Sequence, residues 1–333
     1  MRRIALALAA ALAAGCGAQS GLHVENGGRT VHVVVPTTST QPAGGGGQTL
    51  PRQVTARVPL GGVPAICWDG GHTLWAAVWA GGPHLIGSLV PVDTATARAG
   101  NAVALPPSPT PYLIAASTDA IDVVAGGQLL QFDPATGHIA RSSDLGAAAR
   151  AVLLSRRSLW VTLDDGAVLR LDPTSLAVRA RLHLTPSPEA ITTSPGSVFV
   201  TDDHARDLIR ARAGTGRVTD TVTIAASGAG PPSQITVYAD SIWVYEGSSV
   251  VRLLLRTTRL VDRLSLPGGG GSIAAGAGGV WVSGSFGVAR IDPTTGQVTT
   301  PVDVGAAGAA IATTGDAVWV VQRAGGTLLR LSP

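Results

Sequence analysis

The stretch TDDHARD, residues 201–207, packs Asp202, Asp203, His204, Arg206 and Asp207 into one short run, and a second acidic pair stands at Asp164–Asp165. Clustered carboxylates suit Ca2+ or Mg2+, and an added imidazole suits Zn2+. A divalent ion would also relieve the repulsion among the acids. The metal set expected on this basis is Asp202, Asp203, His204 and Asp207. Neither stretch has the ligand spacing of a known metal loop, so the simpler reading is a solvated polar turn.

Other chemistries find little support. All 24 basic residues are Arg, which removes the lysine of a Walker A loop or a Schiff base. GxSxG, HExxH and CxxC motifs are absent from the sequence. The formal charge of +3 falls to +1 without Arg2 and Arg3, which gives no basic surface for nucleic acid. Cys67 lies in the apolar context PAICWDG and reads as a small buried hydrophobe, with a Cys16–Cys67 disulfide as the alternative if Cys16 keeps its thiol.

The elements that position these residues follow from composition and repetition. The 333 residues are 45% hydrophobic and only 14% charged, with 43 Gly and 22 Pro. That mixture favours short strands joined by tight turns, hence an all-β protein. Two segments recur. One is seen in LQFDPATGHI (130–139), LRLDPTSLAV (169–178) and ARIDPTTGQV (289–298), with looser copies at 89–99, 209–218 and 253–261 and a last one in LRLSP. The other is an apolar–aromatic–apolar triplet centred on Trp75, Trp160, Trp243, Trp281 and Trp319, with Phe199 and Asp122 in the same slot. Each unit holds three or four strand-length runs, the content of one four-stranded propeller blade. Seven units predict a seven-bladed β-propeller of antiparallel blades.

In such a blade DPTTG joins the third strand to the outer fourth. Asp accepts from the turn backbone, Pro presets φ, and Gly takes positive φ, so Asp133, Asp172 and Asp292 are punctuation and not catalytic acids. The repeated Trp residues pack between blades. The last unit stops after its third strand, and QVTARVPL (53–60) resembles QVTTPVDV (297–304), which marks it as the missing outer strand. An N-terminal strand that completes the last blade closes the ring and removes an open edge, consistent with a monomer.

On these units residues 53–333 resemble the YVTN-type and streptogramin-lyase-like seven-bladed propellers. The resemblance implies a propeller; among streptogramin B lyases it would also imply His and Glu in the later blades as general base and Mg2+ holders. This sequence departs there, because no His follows His204. The rim that carries the links between second and third strands and between blades is the expected ligand face, with Trp79, His84, Asp164, Asp165, Tyr245, Glu246 and Arg323 as candidates.

The N-terminus, MRRIALALAAALAAGC, has a positive start, a short apolar run and small residues before Cys16, the layout of a signal peptide over 1–15. LAAGC resembles the lipobox of bacterial lipoproteins, which implies lipidation of Cys16; ordinary cleavage that leaves a thiol is the alternative. Residues 16–52, rich in Gly, Thr, Pro and Gln, read as a tether. The sequence thus predicts an extracytoplasmic, envelope-anchored binding or interaction module, bound to the membrane through its lipid and to a protein or small molecule at one rim. A metal-dependent lyase or hydrolase is the alternative. No cofactor is firmly implied; the acidic loop could hold a divalent cation, Ca2+, Mg2+ or Zn2+.

Overall fold

The structure is a computed structural model. It describes residues 53–333 except 81–84, 156, 225–229 and 306–307, and the backbone of two short strands, Ala13–Ala14 and Ala18–Ser20. Ala13–Ala14 pairs parallel with Val152–Leu153, and Ala18–Ser20 antiparallel with Ser272–Ala274, the innermost strands of blades 3 and 6. No helix occurs among the described residues.

Seven antiparallel sheets form the ring. Each aromatic slot falls on the second strand of its blade: Thr73–Ala80, Ile121–Ala125, Ser158–Leu163, Ser197–Asp202, Ser241–Glu246, Gly279–Gly284 and Val318–Gln322. Closure occurs as the sequence predicts. Val54–Pro59 pairs antiparallel with Thr327–Leu331, Val54 opposite Leu331 and Pro59 opposite Thr327. Backbone bonds from Ser332 N to Gln53 O (2.9 Å) and Leu60 N to Gly326 O (3.1 Å) extend the seam at both ends.

Two outer strands are imperfect. In blade 1 the outer position is split between Arg98–Ala99 and Val103–Ser108, both paired with Leu85–Asp93. In blade 6 it reduces to bridges at Val298 and Val302, because Pro301 between them has no N–H for the ladder.

The turn chemistry is as expected. Asp133, Asp172 and Asp292 each accept from the backbone N–H two and three residues on, at 2.8–3.4 Å. Gly137 and Gly296 take the left-handed position that follows, with φ of 70° and 73°. Blade 3 has Leu176 there at φ 57°. Its side chain is buried in the core between blades 2 and 3, which offsets a backbone conformation costly for a residue with a Cβ.

Blades are held together by hydrophobic clusters that straddle neighbours; Trp160 of blade 3 packs with Ile191, Val198 and Val200 of blade 4. A second device repeats with them. The residue opposite the slot on the third strand is Arg170, Arg210, Arg252 or Arg330, each with its guanidinium 5.1–6.0 Å from the centre of the slot ring, Trp160, Phe199, Trp243 or Trp319. Arg170, Arg210 and Arg252 donate Nε to a serine that opens the second strand, Ser158, Ser197 or Ser241. Arg170 and Arg210 also reach the next blade's turn, donating to Ala213 O and Arg256 O. Each guanidinium thus covers an aromatic face, and those of Arg170 and Arg210 also tie two blades together.

Candidate functional site

Links between second and third strands, and links from blade to blade, emerge at one end of the ring. There the acidic loops of blades 3 and 4 meet two residues that the sequence reading passed over. Arg150 begins the innermost strand of blade 3, Ala149–Ser155, and Glu189 lies near the start of that of blade 4, Pro188–Ser194. Arg150 Nη1 donates to Glu189 Oε2 at 2.8 Å and lies 3.6 Å from Asp203 Oδ2. Burial pushes the Glu189 carboxyl up to about 7, against the pull of Arg150 and with help from the charge of Asp203. Burial works against the charge of Arg150, but Glu189, Asp203 and Asp164 outweigh it and raise its pKa.

The TDDHARD loop is an organised turn. Asp202 is almost fully buried and accepts from the backbone N–H of Ser187, His204 and Ala205 and from Thr185 Oγ1. Burial pushes its carboxyl up, yet these donors prevail and hold it below the ordinary value. Asp203 accepts from Ser187 Oγ as well as facing Arg150. Asp207 accepts from Thr223 Oγ1 at 2.7 Å, on the outer side of its blade. The side chain of His204 is 83% exposed, with Nδ1 3.7 Å from Asp203 Oδ1. Asp202, Asp203 and Asp207 are therefore each turned to a different donor, and among the described residues no three His, Cys, Asp or Glu side chains converge as a metal site. Asp164 contributes its charge to Arg150, and Asp165 pairs with Arg181.

The remaining candidates spread around the same rim. Glu246 is fully buried, paired with Arg263 and within 3.3 Å of Ser249 Oγ; burial nonetheless leaves its pKa raised. Tyr245 is also buried, its hydroxyl accepting from Gly271 N at 3.2 Å, and burial pushes it up to about 12. Arg323 donates to Gly270 O at 2.7 Å, which brings it beside Tyr245; burial lowers its pKa. Trp79 packs on Tyr112 with ring centres 6.2 Å apart. His84 and Cys16 lie outside the described residues. Cys67 is fully buried between blades 1 and 2 and is disulfide-bonded, not a free thiol.

The rim therefore presents ion pairs and capped carboxylates engaged within the protein, with Glu246 Oε1 left buried without a hydrogen-bond partner. Arg150 and Glu189 were missed because nothing in AARAVLL or PEAITTS marks a charge as buried. The only available signal was a charged residue at the start of a strand whose counterparts in other blades are apolar or neutral, as in PSQITVYAD and GAAIATT.

The fold and rim define a seven-bladed β-propeller, an architecture that carries many functions and serves widely as an interaction scaffold. Among solved structures, the chain is similar to the β-propeller domain of Cps50 (Swd1) from Myceliophteria thermophila, with a TM-score of 0.72, 12% identity, and 85% of this chain and 100% of that one covered. It is also similar to BamB from Moraxella catarrhalis, with a TM-score of 0.56, 14% identity, and 84% and 99% covered. At such identities the likeness is one of fold. No protein-family model matches the chain, and no curated protein matches it in sequence.

Proposed function

We propose that this protein is an extracytoplasmic β-propeller that acts as a ligand-binding or protein-interaction module, engaging its partner at the rim of blades 3–7. The observation that carries the reading is the state of the rim acids: Asp165, Glu189, Asp202, Asp203 and Glu246 are each engaged by arginines or turn donors. A binding surface needs such a preformed shape, whereas acid–base chemistry needs groups left poised for a substrate. The test is a photo-crosslinking residue placed at His204 of the full chain in its native envelope. A discrete adduct from His204, absent when the same residue is placed at Ile139 on an outer strand, supports the module; equal or absent adducts refute it.

Anchoring is tested separately. A thioether-lipidated Cys16 cannot also pair with Cys67, so the mass of the mature N-terminus decides between lipid and disulfide. A disulfide to Cys67 is the expected result, since Cys67 is disulfide-bonded and Cys16 is the sequence's other cysteine; acylated Cys16, with release from the membrane fraction in Cys16→Ser, would establish a lipid anchor instead.

One observation favours a metal-dependent lyase or hydrolase as a second reading. Glu189, held up to about 7 beside Arg150, has the pKa of a general acid or base at neutral pH. That reading expects Ca2+, Mg2+ or Zn2+ to raise the melting temperature, and expects the response to vanish in Asp202→Ala/Asp203→Ala. No shift with any of the three ions would remove it.

A further inference from the structure

The opposite end of the ring, where first strands turn into second strands and third into outer, carries a different charge pattern. Two cavities of about 590 Å3 each open there, one between blades 3 and 4 and one between blades 4 and 5, and they share Pro195 and Gly196. Arg157, Arg170, Arg210, Arg212 and Arg256 line the joined groove, against one acid, Asp220. Among the described residues no ion pair includes any of these five arginines.

We propose that this groove is a docking site for an extended acidic segment of a partner protein, an inference that rests on the reading of the chain as an interaction module and names a second surface for it. The groove is built before any ligand arrives. Arg170 and Arg210 are stacked on Trp160 and Phe199 and hydrogen-bonded to Ser158 and Ser197, so little side-chain entropy remains to be lost on binding. Arg212, Arg256 and Arg157 are exposed around them, each a planar fork matched to a carboxylate.

Spacing and composition select the ligand. Arg210 and Arg212 lie two apart on the strand Asp207–Arg212 and so share a face at roughly 6.6–6.8 Å, the separation of alternate side chains on an extended peptide. The carboxylate of Asp220 supplies an acceptor that a peptide backbone N–H can use and that a phosphate polymer, which has only acceptors, cannot. Single-stranded nucleic acid would need open aromatic faces, and Trp160 and Phe199 are buried under their arginines.

The test is fluorescence anisotropy of a fluorescein-labelled Glu-Thr alternating decapeptide titrated with the full chain, with a Lys-Thr decapeptide, inorganic polyphosphate and oligo(dT) as comparators. The expected result is saturable binding of the Glu-Thr peptide, weakened by added salt and at least tenfold by Arg212→Ala/Arg256→Ala. Those two side chains are exposed and lie outside the arginine–aromatic stacks, so the variant should keep its melting temperature; Arg323→Ala on the opposite rim should bind like the parent. No binding, or binding indifferent to the double variant, overturns the proposal. Tighter binding of polyphosphate or oligo(dT) through the same arginines also overturns it, in favour of a phosphate polymer. If the peptide fails while the His204 adduct forms, only the groove assignment falls; if both fail, so does the module reading.

Discussion

Blade 2 and blade 5 solve the same packing problem with opposite chemistry. In blade 5 the slot holds Trp243, fully buried, with Arg252 stacked on it at 5.1 Å. In blade 2 the slot holds Asp122, equally buried, opposite Gln131. Gln131 copies the reach of the arginines: its Nε2 donates to Asp122 Oδ1 at 2.9 Å and to Pro173 O, in the next blade's turn, at 2.7 Å. The tie that Arg170 and Arg210 make from blades 3 and 4 therefore survives in blade 2 without the aromatic. What changes is its cost, since an ionisable carboxyl replaces a large apolar face; each slot leaves one buried polar atom without a hydrogen-bond partner, Asp122 Oδ2 and Trp243 Nε1. In blades 2, 3 and 4 a third-strand side chain reaches the neighbouring turn, and the slot residue beneath it sets how tightly and at what pH that contact holds.

The largest effect should come from emptying the aromatic slot. Trp243→Ala removes a fully buried indole from the core between blades 5 and 6 and leaves Arg252 with nothing to cover. Large-to-small changes of this kind cost about 3–5 kcal/mol. Urea unfolding should show that loss, and a cost below 1 kcal/mol would mean that the slot is not where these blades are held.

The second effect tests the polar slot through pH. Burial pushes the Asp122 carboxyl up to about 7, with only the Gln131 bond opposing it. The folded state therefore binds this proton more tightly than the unfolded chain, whose Asp titrates near its ordinary value of 3.8. The associated stability is complete below about pH 4 and is lost as pH rises through 7. Asp122→Asn cannot ionise. Measured against it, the parent should lose on the order of 3 kcal/mol between pH 4 and pH 8. Taking the difference cancels other titrating groups such as Glu189, and parallel stability curves for the two proteins would refute the buried-acid account.

The same pair of blades shows how far the sequence could be read. Asp122 was found in the slot because the repeat put it there, and the slot, the DPTTG turn and the closing strand 53–60 were legible because each recurs. The partner of the slot was also visible in repeats such as LRLDP and LRLSP, but an isolated Arg in a strand looks like surface; that it stacks on the preceding strand's aromatic is a fact of register. The rim was only half legible. Asp202 and Asp203 stand out as acids, yet what decides their chemistry is a serine, a threonine and Arg150, from the approach to the inner strand of blade 4 and from blade 3. Glu246 looked like a rim ligand because its neutralising Arg263 lies on the outer strand, remote in the repeat pattern. The arginine groove left no local trace at all, since turns of three blades assemble it.

The smallest effect isolates the cation from the aromatic. In blade 4, Arg210 covers Phe199 at 5.7 Å, donates Nε to Ser197 Oγ at 3.2 Å and reaches Arg256 O at 2.6 Å. Arg210→Met keeps an apolar stem over the ring and removes the charge and both hydrogen bonds. A partly exposed cation–π contact is worth about 0.5–1 kcal/mol and each of the two net hydrogen bonds about as much, so a loss of roughly 1.5–3 kcal/mol is the upper expectation. Arg210→Lys restores the charge without the fork and should recover only part of it, because an ammonium cannot serve Ser197 and the Arg256 carbonyl while lying flat on the ring. Full recovery in the lysine variant would mean that charge alone matters; no loss in the methionine variant would mean that the blades need only the stem. Either result would move Gln131 with it, since an uncharged amide already does this work in blade 2. An intermediate lysine result would instead place the common requirement in the reach to the next blade's turn.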